Sequence, residues 1–107
     1  MQNRTRIASM MQVYKNHYEE YEKRHNELWP EMEKTLKSHG VHHYSIFLEE
    51  ESGQLFAYLE VEDVDTWEKV SETDICKKWW NYMEPLMKTN SDKSPVSKPL
   101  KSVFYLE

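Results

Sequence analysis

The segment YSIFLEEESGQLFAYLEVE, residues 44–62, constrains the fold of this chain more than any other stretch. Two β-rich runs flank a Ser52-Gly53 step, a pattern that is typical of a β-hairpin. Successive side chains of a strand point to opposite faces of the sheet. Bulky apolar side chains are therefore expected on both faces of this hairpin. Phe47 lies on the opposite face from Ile46 and Leu48. Phe56 and Tyr58 lie on the opposite face from Leu55 and Leu59.

A sheet with two apolar faces needs cover on both sides. Helices can cover one face of an antiparallel sheet. We expect a second copy of the chain to cover the other face, because a monomer would leave those side chains in water. The hairpin therefore predicts a homodimer.

The segment after the first strand predicts a helix with a break in it. Asn16 and Glu19 have the spacing of a capping box, so the helix is expected to begin there. Pro30 removes a backbone donor, which predicts a kink or short break near residues 27–30, and Gly40 is expected to end the helix in the left-handed conformation. The apolar positions follow the helical period: Tyr18, Tyr21, His25, Leu28, Met32 and Leu36.

A second helical region is predicted over residues 66–87. Asp65 and Glu68 form a second possible capping box at its start. Ser71 or Thr73 is expected to restart the helix, because hydroxyl side chains favour helix N-termini.

The remaining segments complete the order of elements. Residues 4–13 are predicted as the first strand, residues 88–99 as a polar loop, and residues 101–107 as the last strand. The order is then β-α-β-β-α-β, which predicts an α+β, ferredoxin-like fold in one domain spanning residues 1–107.

Composition excludes several classes of function. The net charge is −5 and the charges are interspersed, which disfavours nucleic acid and anionic membrane as partners. No apolar run approaches the length of about 20 residues that a membrane span requires. The single cysteine, Cys76, excludes an internal disulfide framework and favours a reducing cytoplasm.

Tyr21 and His25 are the first candidates for chemistry. Four residues separate them, so their side chains lie on one helix face within contact range. An imidazole can both give and take a proton near neutral pH, and a tyrosine one turn away can orient a substrate hydroxyl. The alternative is a surface histidine beside a half-buried tyrosine.

Trp79 and Trp80 are the second pair of candidates. Consecutive side chains on a helix diverge by about 100°, so one indole can enter the core while the other faces a cavity or a neighbouring chain. Aromatic rings also hold sugars, because the face packs on C–H groups and the polar edge bonds a hydroxyl. Simple packing of both rings is the alternative, and Trp29 and Trp67 are interpreted as core or edge packing.

A metal site is not predicted. His39 is expected at a helix end, His42 and His43 alternate sides of a strand, and Cys76 is the only thiolate. These residues do not have the spacing of a recognised zinc ligand set.

The chain resembles the L-rhamnose mutarotase family over nearly its whole length. The resemblance lies in YEKRHNELWPEM, SHGVHHYSIFL, TDICKKWWNYM, NSDKSPV and a terminal VFYLE, in matching order and spacing. It implies a cytoplasmic homodimer of ferredoxin-like subunits that form a dimeric α+β barrel. It also implies interconversion of the α and β anomers of L-rhamnopyranose without metal or organic cofactor.

The resemblance also implies roles for particular residues. The family's proton-donating histidine falls on His25, and its sugar-binding positions fall on Tyr21, Tyr44, Trp79 and Trp80. The departures are an early start of the chain and, before Tyr44, a histidine at position 43 where asparagine is expected.

Two other classes stay open on the residues alone. One is a haem-dependent or cofactor-free monooxygenase on the same dimeric barrel, with His25 as an iron ligand in the haem case. The other is a non-catalytic sugar-binding or dimerisation module. Which tryptophan would stack on the sugar is also open.

Overall fold

A computed structural model describes residues 3–107, so Met1 and Gln2 of the predicted domain lie outside the described residues. Among these residues there are four strands and four α-helices, and 3₁₀ turns follow the last two helices. The elements are β1 (Thr5–Gln12), α1 (Tyr18–Asn26), α2 (Pro30–Ser38), β2 (Val41–Glu49), β3 (Gln54–Val61), α3 (Val64–Glu68), α4 (Asp74–Met83) and β4 (Lys98–Pro99). The 3₁₀ turns are Lys69–Glu72 and Glu84–Leu86.

The sheet has the strand order β2-β3-β1-β4, and its neighbouring strands are antiparallel. This order and the helical crossovers confirm the predicted α+β, ferredoxin-like fold. β3 is a central strand that pairs with β1 and β2, and Ile7 of β1 lies opposite Leu59. The predicted hairpin is β2–β3, with Gly53 in its turn at a φ of 78°.

The two faces of the sheet differ in cover, as the hairpin pattern predicts. The β3 side chains that face the helices are buried: Leu55, Ala57, Leu59 and Val61. On the opposite face Phe47 is 68% exposed and Phe56 is 36% exposed. The helices therefore cover one face only.

The first helical region breaks where the proline predicts it. α1 ends at Asn26, and Pro30 occupies the first turn of α2. Trp29 has φ −59° and ψ 133°, the extended conformation that a following proline favours. Gly40 has a φ of 84°, so the predicted left-handed end of the helix is confirmed.

Both predicted capping boxes are wrong. Asn16 has a φ of 74° and stands outside the helix, whose N-cap is His17 without a side-chain bond. In the second region Asp63 is the cap, and its carboxylate accepts a hydrogen bond from the Thr66 N–H at 2.9 Å. The predicted restart is confirmed at Thr73, whose hydroxyl accepts from the Cys76 N–H at 3.3 Å.

The predicted last strand, residues 101–107, is also wrong. β4 is confined to Lys98–Pro99, and the Leu100 N–H donates to the Ala8 carbonyl at 2.9 Å. Beyond this bond the chain has no regular secondary structure. Strand propensity depends on packing and backbone bonds to a neighbouring strand, and residues 101–107 pair with none of the four strands. We call residues 100–106 the C-terminal arm.

No helix among residues 3–107 combines the length and the apolar character that crossing a bilayer requires.

Candidate functional site

All five predicted site residues line one cleft between the helices and β2. The cleft has a volume of about 1760 Å³. α1 supplies Tyr21 and His25, β2 supplies Tyr44, and α4 supplies Trp79 and Trp80. The fold therefore brings together residues that are almost 60 positions apart in the sequence.

The His25 ring has a defined tautomer. Its Nδ1 lies 2.9 Å from the Tyr21 carbonyl oxygen, one helical turn earlier. A carbonyl oxygen can only accept, so Nδ1 carries the proton and donates it. Nε2 is then unprotonated and can take a proton from a ligand in the cleft. The Tyr21 and His25 rings lie 4.3 Å apart between centroids, which confirms their predicted contact on one helix face.

The surroundings of His25 favour the neutral imidazole. Burial lowers the pKa of His25 from its ordinary value of 6.5, although the bond to the Tyr21 backbone opposes that shift. Burial raises the pKa of the Tyr21 hydroxyl, and the nearby Tyr44 adds to the rise. Near neutral pH the cleft therefore contains a neutral imidazole base beside a phenol that keeps its proton.

The two adjacent tryptophans have different environments. Trp79 is 8% exposed, and its ring lies edge-on to His25 at 5.4 Å and to Trp29 at 5.1 Å. Trp80 is half-buried and lines the cleft. The predicted divergence of the pair is confirmed: Trp79 is buried in the core and Trp80 is half-buried, and both rings line the cleft.

A β-bulge in β2 lies at His43 and Tyr44. His42 pairs with Glu60 and Ser45 with Tyr58, so two residues of β2 oppose one residue of β3. Tyr44 stands two residues before Ile46, which pairs with the buried Ala57, so both side chains face the helices. The bulge shifts the alternation only for the residues that precede it. At the bulge His43 has a φ of 52°, which lies in the left-handed region that few non-glycine residues adopt. Asparagine, expected here from the resemblance, and histidine both occur in this left-handed region more often than most residues.

Sequence reasoning missed two residues of the cleft. Trp67, interpreted as packing, lines it and lies edge-on to Tyr44 at 6.2 Å between ring centroids. Cys76, used only to exclude disulfides, also lines it, and burial raises the pKa of its thiol to about 11. At neutral pH this thiol is uncharged and acts as a small apolar wall. Cys76 lies within the quoted segment TDICKKWWNYM, whereas Trp67 lies outside the segments that carry the resemblance.

Two of the three histidines considered for a metal, His39 and His42, form hydrogen bonds with separate partners. His39 Nδ1 donates to the Thr35 carbonyl at 2.8 Å, and His42 Nε2 bonds the Glu62 carboxylate. Across residues 3–107, no three side chains of His, Cys, Asp or Glu come close enough to hold a metal ion.

The fold and the cleft define a ferredoxin-like protein with a partly buried imidazole among aromatic side chains. The sequence model for L-rhamnose mutarotase matches residues 6–106. The chain belongs to the L-rhamnose mutarotase family, a family of isomerases.

Individual relatives agree with the family match. The chain is 64% identical over 101 residues to an L-rhamnose mutarotase of Shouchella clausii, covering 94% of this chain and 97% of that protein. It is 60% identical to an L-rhamnose mutarotase of Bacillus subtilis, covering 95% of this chain and 98% of that one.

Solved structures agree as well. The crystal structure of L-rhamnose mutarotase from Formosa agariphila superposes with a TM-score of 0.89 at 43% identity, covering 96% of this chain and 99% of that chain. A dimeric ferredoxin-like protein from an uncultured marine organism has a TM-score of 0.58 at 16% identity, covering 94% and 96%, and shows the fold alone.

The site generates a prediction that does not depend on a substrate. In ¹H–¹⁵N NMR, His25 should titrate below its ordinary pKa of 6.5 and should carry its proton on Nδ1 when neutral. Since the unfolded chain then binds more protons than the folded one below about pH 6.5, the free energy of unfolding should fall as pH falls through that window. His25→Asn supplies the control for assigning the signal. A His25 pKa above 6.5, or a proton on Nε2 in the neutral ring, would contradict this description.

Proposed function

We propose that this protein interconverts the α and β anomers of L-rhamnopyranose in the cytoplasm. The observation that carries the proposal is the hydrogen bond from His25 Nδ1 to the Tyr21 carbonyl, which leaves Nε2 of a neutral imidazole as a base inside the cleft. The names of the relatives support L-rhamnose as the substrate. The cytoplasm fits the single buried thiol.

The chemistry needs one proton carrier. His25 Nε2 takes the proton of the anomeric hydroxyl while the bond between C1 and the ring oxygen breaks. The products are an open-chain aldehyde and a hydroxyl, because the imidazolium returns the proton to the former ring oxygen. Rotation about C1–C2 and reversal of these steps close the ring on the other face of the carbonyl. The phenol hydroxyls of Tyr21 and Tyr44 can stabilise the negative charge that develops on oxygen.

The remaining side chains divide into a binding wall and a support. Trp80 is proposed to stack on the C–H side of the sugar, because it lines the cleft and is half-buried. Trp79 is proposed to act mainly through packing, since its ring already lies against His25 and Trp29. Trp67 and Cys76 add apolar surface, which suits a sugar that carries a methyl group in place of one hydroxyl.

The proposed assembly is a homodimer joined through the open face of the sheet. Phe47 and Phe56 expose apolar rings there, and the C-terminal arm exposes Val103 by 87%. Each large apolar side chain that is transferred from water to an interface contributes about 1.5–3 kcal/mol before the costs of association. A second copy of the chain would cover this face, as the sequence pattern predicts.

Replacing His25 tests the proton carrier. His25→Ala should lower the rate of anomer exchange by about 10²–10⁴, the usual share of general acid–base catalysis, and His25→Asn should be nearly as slow. Tyr21→Phe should cost less, because it removes a hydrogen bond and no titrating group. The measurement is NMR exchange between α and β L-rhamnose, with the uncatalysed background subtracted.

A second histidine in this chain provides a matched control. His39 bonds the carbonyl one turn earlier in the same way but stands outside the cleft, so His39→Ala should keep the wild-type rate. The pH profile should show a limb below about 6.5 that is lost in His25→Ala. A wild-type exchange rate in folded His25→Ala protein would refute the assignment.

The two tryptophans should respond differently to alanine. Trp80→Ala should raise KM for L-rhamnose while the melting temperature is nearly kept. Trp79→Ala should lower the free energy of unfolding by about 3–5 kcal/mol, since it empties a buried site beside Trp29. Thermal melts and exchange kinetics on both variants check this. Equal losses of stability with an unchanged KM in both variants would mean that both rings act only through packing.

The homodimer is tested by sedimentation at micromolar concentration. Wild-type protein should sediment as a dimer, and Phe47→Asp should sediment as a folded monomer, because an exposed ring adds little to the fold of one subunit. Lys34→Asp, on the exposed side of α2, should leave the dimer intact. A monomeric wild-type protein would exclude the proposed assembly.

A further inference from the structure

The junction of α1 with α4 sets the spacing between the imidazole and its indole neighbour. His25 belongs to α1 and Trp79 to α4, and their rings meet edge-on with centroids 5.4 Å apart. About 50 residues of chain separate these helices. A specific contact between them is therefore needed to hold the two rings at this distance.

Arg24 makes such a contact directly beside His25. Its Nη1 donates to the Tyr82 carbonyl of α4 at 2.5 Å, and its guanidinium carbon lies 4.0 Å from the centroid of the Tyr82 ring. Its Nε donates to Glu20 at 2.7 Å, one turn earlier in α1. The planar guanidinium thus joins a carboxylate on one helix to a carbonyl and a ring on the other, which a lysine cannot reproduce.

The contact also gives a hydrogen-bond donor to a backbone carbonyl at the C-terminal end of α4. Tyr82 lies in the last turn of α4, where carbonyl groups lack intrahelical partners and a cation is favourable. α4 has no basic residue in its own last turn. Arg24 supplies that cation from α1, so the docking of one helix completes the C-terminus of the other. This gives the two helices a preferred register.

We propose that Arg24 is a positioning residue that holds α1 against α4 and so fixes the imidazole of His25 against Trp79. The proposal rests on the proposed mutarotase function and deepens it. Arg24 stands outside the cleft lining, so it acts through His25 and not through the sugar. Trp29 reinforces the junction, since its ring lies 5.1 Å from Trp79 and 5.2 Å from Tyr82 between centroids.

A plain ion pair within α1 does not explain this arrangement. Glu33 and Lys37 form a pair of the same spacing in α2, at 2.8 Å, with no further bond from the ammonium group among the described residues. Arg24 differs because it is more buried and spans two helices. The ion pair with Glu20 orients the guanidinium, and the function lies in the contact with Tyr82.

The test compares kinetics and ring geometry in four variants. Arg24→Gln should lower kcat of anomer exchange about tenfold or more with KM within about twofold, because a misplaced proton carrier slows chemistry more than binding. Arg24→Lys should have a kcat between those of Arg24→Gln and wild type, since it keeps the positive charge and loses the planar donor geometry of the guanidinium. Lys23→Gln removes a neighbouring charge and should keep kcat within about twofold of wild type. Glu20→Gln removes the ion pair that orients the guanidinium and should lower kcat less than Arg24→Gln does.

Further measurements keep the outcome decisive. The ¹⁵N shift of His25 Nδ1 should change in Arg24→Gln and stay in place in Lys23→Gln. If Arg24→Gln fails to fold, Tyr82→Leu removes the ring but keeps the carbonyl, and it should lower kcat severalfold in folded protein. Wild-type kcat in Arg24→Lys and Tyr82→Leu, or an equal loss in Lys23→Gln, would overturn the proposal. A wild-type rate in His25→Ala would refute the proposed function itself. A lowered rate in His25→Ala, together with wild-type kcat in Arg24→Lys and Tyr82→Leu, would refute only the positioning role of Arg24.

Discussion

The buried face of β3 is the constraint on which the rest of the structure depends. This strand pairs with β1 and β2, and its helix-facing side chains Leu55, Leu59 and Val61 are almost fully buried. Leu55 belongs to the same core cluster as Tyr21 and Trp79. Two side chains of the site are thus part of the hydrophobic core. The packing that stabilises the fold also holds the site in place, and burial of each large side chain contributes about 1.5–3 kcal/mol.

The same burial suits the imidazole to the proposed proton transfer. Removing His25 from water lowers its pKa, and the bond from Nδ1 to the Tyr21 carbonyl fixes which nitrogen can act as the base. A surface histidine would be partly protonated near neutral pH and would exchange tautomers freely. One helical turn therefore orients the base, and the apolar core keeps it neutral. Orientation and a suitable pKa are the two requirements of general base catalysis.

Most of the fold could be predicted from local signals, because patterns of apolar residues and special backbone residues act within a few positions. Pro30 and Gly40 mark helix ends through their own backbone geometry, and the hairpin follows from alternation around Gly53. The caps were mispredicted because several acceptors stand near each helix start, and only the final backbone path decides which one is used. The strand predicted in the C-terminal arm failed because strand formation needs a partner, and propensity within the segment cannot supply one.

Local sequence patterns could select only some of the site residues. Tyr21 with His25, and Trp79 with Trp80, could be selected because their spacing is helical. Tyr44 could be selected only through the family resemblance, because alternation places it on the same face as Ile46 and says nothing of the cleft that the helices complete. The bulge gives His43 a left-handed φ, which costs about 1–2 kcal/mol at a non-glycine residue. The difference between asparagine and histidine at position 43 is therefore a matter of backbone conformation: this position must adopt the left-handed region, and both residues do so more readily than most.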